Sequence, residues 1–269
     1  MSDFLESMAG LSAERAAAAD RGLLTATFAR ETVPLELDGF DIIAEIKDRS
    51  PAEGHLAVAA ADRGERARQY VAGGAAAISV LTEPSRFAGS LEHLAEVASA
   101  VPDTPVMRKD FLVDPIQLFE ARDAGASGVL LIITMLDDTR LAEMLDRAGA
   151  LGLFVLLEAF DAADLARAAA LLDRPEHAAR VAAGQLLVGV NTRNLRTLEV
   201  DNSRLANLAT SLPAARCVAE SGLLTPADAA GAAALGYRLA LVGTALMRSD
   251  DPAALVAAMR EAGRARIAA

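Results

Sequence analysis

The chain has 269 residues, of which 37 are acidic and 26 basic, giving a formal net charge of −11. That balance argues against nucleic acid or an anionic membrane as the main partner, yet a local cluster of cations could still hold a small anion. A single cysteine, Cys217, excludes an intramolecular disulfide, and no apolar run approaches the ~20 residues that span a bilayer.

The opening Met-Ser-Asp-Phe-Leu-Glu lacks the basic and apolar regions of a secretory leader, so the expected compartment is the cytoplasm. Residues 1–40 precede the first strand and read as a helical extension, with an Ala-rich helix near 12–20. From residue 41 to 269, short β-branched runs alternate with longer Ala/Leu/Arg/Glu stretches of helical period. The runs are 42–46, 77–81, 105–109, 128–133, 153–158, 186–190, 216–220 and 239–243. Their starts lie about 23 to 35 residues apart, the length of one βα unit. They are almost continuously apolar, as strands are when a parallel sheet is covered on both faces.

Between them, residues 61–73 predict a helix ending at Gly73-Gly74. Asp114-Pro115, Thr225-Pro226 and Asp251-Pro252 each predict a helix start with Pro at the first helical position. The stretch 171–185 lengthens the fifth helix–strand connection, on the face of a barrel where stability rather than catalysis is built. Eight such units predict an α/β fold, a single (β/α)8 TIM barrel behind the N-terminal extension; a doubly wound open sheet is the weaker alternative.

In that fold the active site forms at the strand C-termini. Polar groups collect there: Glu45 and Lys47, Lys109, Glu158, Asn191 and Arg193, Glu220 and Ser221, then Gly243 and Thr244. Side chains alternate along a strand, so Glu45 and Lys47 should meet on one side. The chain has only two lysines, Lys47 and Lys109, against twenty-four arginines, and both lie at strand ends. Lysine, unlike arginine, can exchange protons near neutral pH when its surroundings shift its pKa. The two lysines, flanked at the strand ends by Arg49, Arg108 and Arg193, would depress one another's pKa, while the carboxylates oppose that, which leaves the balance open. Ser221-Gly222 and Gly243-Thr244 place small residues after strands 7 and 8, where barrels commonly hold phosphate, and residues 244–248 read as a short extra helix.

These residues carry a resemblance. IIAEIKDRSP (42–51), ISVLTEPSRFAGSLEHL (78–94), PVMRKDFLVDPIQLFEARDAGASGVLLI (105–132), LLEAFD (156–161), LVGVNTRNLRTLEVD (187–201), VAESGLLTPAD (218–228) and LVGTALMRSDDP (241–252) resemble, in order, the indole-3-glycerol-phosphate synthase family of tryptophan biosynthesis. The resemblance implies a carboxy-lyase that closes the indole ring of 1-(2-carboxyphenylamino)-1-deoxyribulose 5-phosphate, releasing carbon dioxide and water. It implies Lys109 as the general acid at the ketone, and Lys47 at the anthranilate carboxylate or as acid in dehydration. Glu158 would stabilise or deprotonate cationic intermediates, with Glu45 placed to help. Asn191 and Ser221 would orient the ribulose hydroxyls with Glu220 in support, Arg193 would lie beside the carboxylate, and Phe111 and Leu81 would line the slot for the ring. Ser50, Gly222, Gly243 and Thr244 would cradle the phosphate. No cofactor is implied, His55, His93 and His177 lack metal-ligand spacing, and a monomer is expected.

Three positions depart from the family pattern: Ala52-Glu53 in the first loop, where Lys is usual; Ala159-Phe160 after Glu158, where Val-His is common; and Thr192, where Asn is frequent. The rival readings are a Schiff-base lyase using Lys109 or Lys47 as a covalent amine, a sugar-phosphate isomerase sharing the phosphate cradle, and a barrel that binds without turnover.

Overall fold

In a computed structural model, residues 3–50, 54–55, 62–193, 200–201 and 203–268 are described. Among them, eight parallel strands close into a barrel: β1 (Asp41–Ile46), β2 (Ala77–Leu81), β3 (Val106–Lys109), β4 (Gly128–Ile132), β5 (Phe154–Ala159), β6 (Leu186–Asn191), β7 (Arg216–Glu220) and β8 (Leu239–Val242). Neighbours in sequence are neighbours in space, and β1 closes the ring by pairing with both β8 (Asp41↔Leu239) and β2 (Ile43↔Ala77). The open-sheet alternative is thereby excluded. Every residue of β1, β2, β4, β5, β6 and β8 is buried, which is the physical reason that these runs carry so little polar alternation.

The connecting helices start where capping chemistry places them. Asp62, Ser90, Asp137, Asp161 and Thr225 each accept a hydrogen bond from a first-turn amide, a contact worth about 1 kcal/mol per cap. Thr225 and Asp228 complete a reciprocal capping box with Pro226 at the first turn. Pro115 instead stands at the N-cap of the Ile116–Asp123 helix, one place earlier than expected, and Asp114 accepts from the Ile116 amide at 2.9 Å. The 171–185 stretch contains a 3-10 turn, Pro175–His177, and a short helix, Ala178–Ala182.

At the bottom of the barrel, where the strands begin, arginines grip backbone carbonyls. Arg122 donates to the carbonyls of Leu151 (3.1 Å), Ala126 (3.3 Å) and Arg30 (2.8 Å), and Arg180 to those of Leu145 and Leu153 (both 3.0 Å). Arg264 reaches Phe40 O and, with Arg260, the buried carboxylate of Asp41. A planar guanidinium with five donors suits these helix ends, whose last carbonyls have no helical partner.

The N-terminal helix spans Asp3–Ala18, beginning well before the Ala-rich stretch that announced it. Leu5, Met8, Ser12 and Ala16 are buried, the stripe of a helix lying on a surface. It runs beside the barrel mouth: Arg15 donates to Asp110 Oδ1 at 2.7 Å, Gln117 donates to Ser12 Oγ at 2.8 Å, and the Phe4 and Phe111 rings meet edge to face at 5.9 Å. No described helix is long and apolar enough to cross a membrane.

Candidate active site

A cavity of about 410 Å3 opens at the C-terminal ends of the strands. All fourteen residues singled out in the sequence line it: Glu45, Lys47, Ser50, Leu81, Lys109, Phe111, Glu158, Asn191, Arg193, Glu220, Ser221, Gly222, Gly243 and Thr244. Its size suits one small organic molecule.

The floor is ionic. Lys109 Nζ, from the end of β3, lies 3.1 Å from Glu158 Oε2 on β5 and 3.6 Å from Glu220 Oε2 on β7. Lys47 Nζ donates to Glu45 Oε1 at 2.8 Å, so the predicted pair at the end of β1 does share one side. Two glycines make room for these groups. A Cβ on Gly189 of β6 would fall 1.8 Å from Glu220 Oε1, and one on Gly243 would fall 2.5 Å from Glu45 Oε1 and 2.9 Å from Lys47 Nζ.

The flanking arginines do not act as the sequence suggested. Arg108 faces away from the mouth, buried between β3 and the Ile116–Asp123 helix, with Gln117 O at 2.8 Å and Asp110 and Glu120 carboxylates at 3.1 Å. Arg49 is exposed and only Arg193 of the three reaches the cavity. Burial alone would lower the pKa of Lys109, but Glu158, Glu220 and Glu45 outweigh it and hold the value above the usual range for lysine. The same neighbourhood acts in reverse on Glu220. Burial, then the negative charge of Glu158, pushes its carboxyl well above the ordinary 4.5, with Lys109 only partly opposing.

The polar wall between β6 and β7 is tightly specified. Asn191 Oδ1 accepts from the Arg193 amide at 2.9 Å and from Ser221 Oγ at 2.8 Å. A backbone amide can only donate, so it fixes the oxygen of Asn191 there and turns the amide nitrogen the other way. Ser221 (φ 68°) and Gly222 (φ 74°) are both left-handed, a conformation that costs a serine roughly 1 kcal/mol. Thr192 Oγ1 donates to the carbonyls of Glu220 (3.2 Å) and Ser221 (3.1 Å), binding the ends of β6 and β7 together. Ser50 is buried in a short antiparallel ribbon, Arg49–Ser50 against Gly54–His55. The Ala52-Glu53 departure lies outside the described residues, as does Asn194. Ala159 is buried, and the Phe160 amide donates to Asp164.

The cavity also has an apolar lining. Phe111 packs against Phe4 at 5.9 Å and Phe87 at 6.1 Å, and Leu81, Leu130, Ile132 and Leu241 line the cavity as well. Reading only strand ends missed Phe4, Phe87 and Arg248, all of which line the cavity. Phe87 and Arg248 belong to segments already quoted for the resemblance, whereas Phe4 sits in the extension and nothing local links it to the mouth. Among the described residues no group of three or more His, Cys, Asp or Glu is arranged to hold a metal ion.

Comparison with known proteins agrees with this architecture. The family model described as indole-3-glycerol phosphate synthase matches residues 25–259. The chain is 48% identical over 222 residues to the indole-3-glycerol phosphate synthase of a Nocardioides species, covering 82% of this chain and 80% of that one. It is 46% identical over 230 residues to the Kineococcus radiotolerans protein of the same name, covering 85% and 78%. Among solved structures, a 3-hexulose-6-phosphate synthase from Salmonella typhimurium aligns over 84% of this chain and 100% of its own with TM-score 0.61 and 15% identity, a likeness of fold alone. With the family model spanning the barrel and relatives near half identity, the chain belongs to the indole-3-glycerol phosphate synthase family.

Proposed function

We propose that this chain closes the indole ring of 1-(2-carboxyphenylamino)-1-deoxyribulose 5-phosphate, producing indole-3-glycerol phosphate, carbon dioxide and water, as the carboxy-lyase of tryptophan biosynthesis. The observation that carries this reading is Lys109, held between two buried carboxylates at the floor of a cavity with one aromatic and one polar wall. Attack of a ring carbon on a ketone needs a proton donor at the oxygen, and the raised pKa keeps Lys109 charged for that task. The same state counts against a Schiff-base lyase, since a protonated amine is not a nucleophile.

The other roles follow from position. Phe111 and Leu81, with Phe4 and Phe87, form the slot for the anthranilate ring. Lys47 and Arg193 neutralise its carboxylate until that group departs, and Lys47 can then protonate the departing hydroxyl. Glu158, paired with Lys109, stabilises the cationic intermediates, and Glu45 holds Lys47 in place. Asn191 and Ser221 orient the ribulose hydroxyls, with Glu220 in support. Ser50 and the small-residue turns Gly222 and Gly243-Thr244 receive the phosphate. The enzyme works as a cytoplasmic monomer on this small sugar phosphate, without a cofactor and without nucleic acid.

The test is the appearance of indole-glycerol phosphate fluorescence when purified protein meets the substrate. We expect turnover in the native chain and a loss of at least about 1,000-fold in kcat in Lys109→Ala, with substrate still bound. Trapping of a substrate adduct by borohydride would favour the lyase instead.

A further inference from the structure

Three buried glutamates share the floor of the mouth with two lysines. The side chains of Glu45, Glu158 and Glu220 are 4%, 2% and 1% exposed. Fully ionised, these five groups leave one negative charge in surplus, and burial makes such a surplus costly. Protonating one carboxylate removes it.

Geometry selects the carboxylate. Glu158 and Glu45 each accept a hydrogen bond from a lysine, at 3.1 and 2.8 Å. Among the described residues neither oxygen of Glu220 has a hydrogen-bond partner, although Lys109 Nζ lies 3.6 Å away. An ionised carboxylate without a donor is the least favourable anion of the three. Glu158 also faces Glu220, and two carboxyl oxygens can hydrogen-bond to each other only when one of them carries a proton. Gly189 makes room for Glu220 in the barrel interior, because a Cβ at that place on β6 would fall 1.8 Å from Glu220 Oε1.

The reaction has a matching requirement, given the ring closure proposed above. The ketone oxygen takes up two protons on its way to water, and one proton returns from the methylene carbon that becomes indole C2. The carboxylate leaves as carbon dioxide, its electron pair restoring the aromatic ring, and needs no proton. Each turnover therefore consumes one net proton.

We propose that Glu220 enters the cycle as a carboxylic acid and supplies that proton by recharging Lys109. After the Lys109 ammonium has protonated the ketone, its neutral amine faces Glu220. The Glu220 O–H bond breaks, a new N–H bond forms on Lys109, and a carboxylate remains beside a regenerated ammonium. Solvent restores the Glu220 proton once product has left. Lys109 is thereby charged again before the hydroxyl departs.

Infrared difference spectroscopy on whole protein carrying 13C-labelled glutamate tests the resting state. A protonated-carboxyl band is expected near pH ~7 in the native chain and should be missing from Glu220→Gln. That variant keeps shape and hydrogen-bonding capacity but cannot release a proton on demand. Its kcat should fall about 100-fold with KM within about 3-fold, and it should fall further as pH rises through a range where the native enzyme is flat. A purely structural role for Glu220 would leave that pH profile unchanged. A native spectrum lacking the band, or native kcat in Glu220→Gln, would overturn the proposal. Absence of native turnover would remove the reaction itself, whereas a missing band would remove the proton and leave the reaction intact.

Discussion

The two ends of the barrel use charge in opposite ways. At the bottom, Asp41 is buried yet fully engaged: it accepts from Arg260 at 3.2 Å, Arg264 at 2.8 Å and the Asp38 amide at 2.7 Å. At the mouth, Glu220 is equally buried and, among the described residues, hydrogen-bonded to nothing. The bottom arrangement holds loops and helix ends in place. The mouth arrangement keeps an unsatisfied buried carboxyl at the wall of the cavity, where its proton is at hand for chemistry. The choice of cation follows part of the same division, although Arg193 and Arg248 also line the mouth. Arginine, always charged and rigidly forked, serves the carbonyls and Asp41; the two lysines are both kept for the mouth.

This contrast can be broken at chosen residues. Away from Lys109 itself, the largest effect should come from Gly243→Ala, whose new methyl would displace Glu45 and Lys47 from their 2.8 Å contact. A loss of about 100-fold in kcat/KM is expected, with thermal stability little changed, as read from steady-state kinetics beside a melting curve. Asp41→Ala should do the reverse. Two arginines lose a buried partner, so unfolding becomes easier by on the order of 3 kcal/mol while kcat per folded molecule stays near the native value. Denaturant titration of that variant checks it, and an unchanged midpoint would mean that the bottom network contributes nothing.

The smallest effect is the most diagnostic in sign. A glutamate whose native pKa is raised stabilises the fold fully below its unfolded value, near 4.5, and loses that contribution as pH rises through the native value. Glu220→Gln should therefore gain stability relative to the native chain as pH rises from about 4.5 toward the native value, by at most about 1.4 kcal/mol per unit, and the gain should level off above it; melting temperatures between about pH 5 and about pH 8 would show this. A substitution that slows the enzyme while strengthening the fold marks a functional charge, and Asp41→Ala supplies the opposite control.

Much of this was legible in the chain. Continuous apolar runs at βα spacing gave the eight strands to within a residue or two, because parallel strands covered on both faces have little else to encode. The rule that barrels carry their sites at strand C-termini then brought fourteen residues together, since each lies within a few positions of a visible strand end or turn. What stayed hidden depends on distant partners. The helix Asp3–Ala18 docks through Phe4 on Phe111 and Arg15 on Asp110, contacts across ninety or more residues that no local period reports. Arg108 is a different case. Strand alternation already required it to point away from Lys109, and reading it as a neighbour in sequence hid that. The pKa of Lys109 was open for a third reason: its sign depends on three carboxylates from β1, β5 and β7 converging on one ammonium.

The mouth should need a lysine for proton transfer, where the bottom needs only arginine's fixed charge. The most direct measurement is kcat for indole-glycerol phosphate formation in Lys109→Arg, beside its melting temperature. Arginine keeps the cation between Glu158 and Glu220 but holds its proton too firmly to give it up. A folded variant with kcat reduced about 1,000-fold is the expected result. A folded variant that retains substantial turnover would show that charge alone suffices at this position, and would contradict the account.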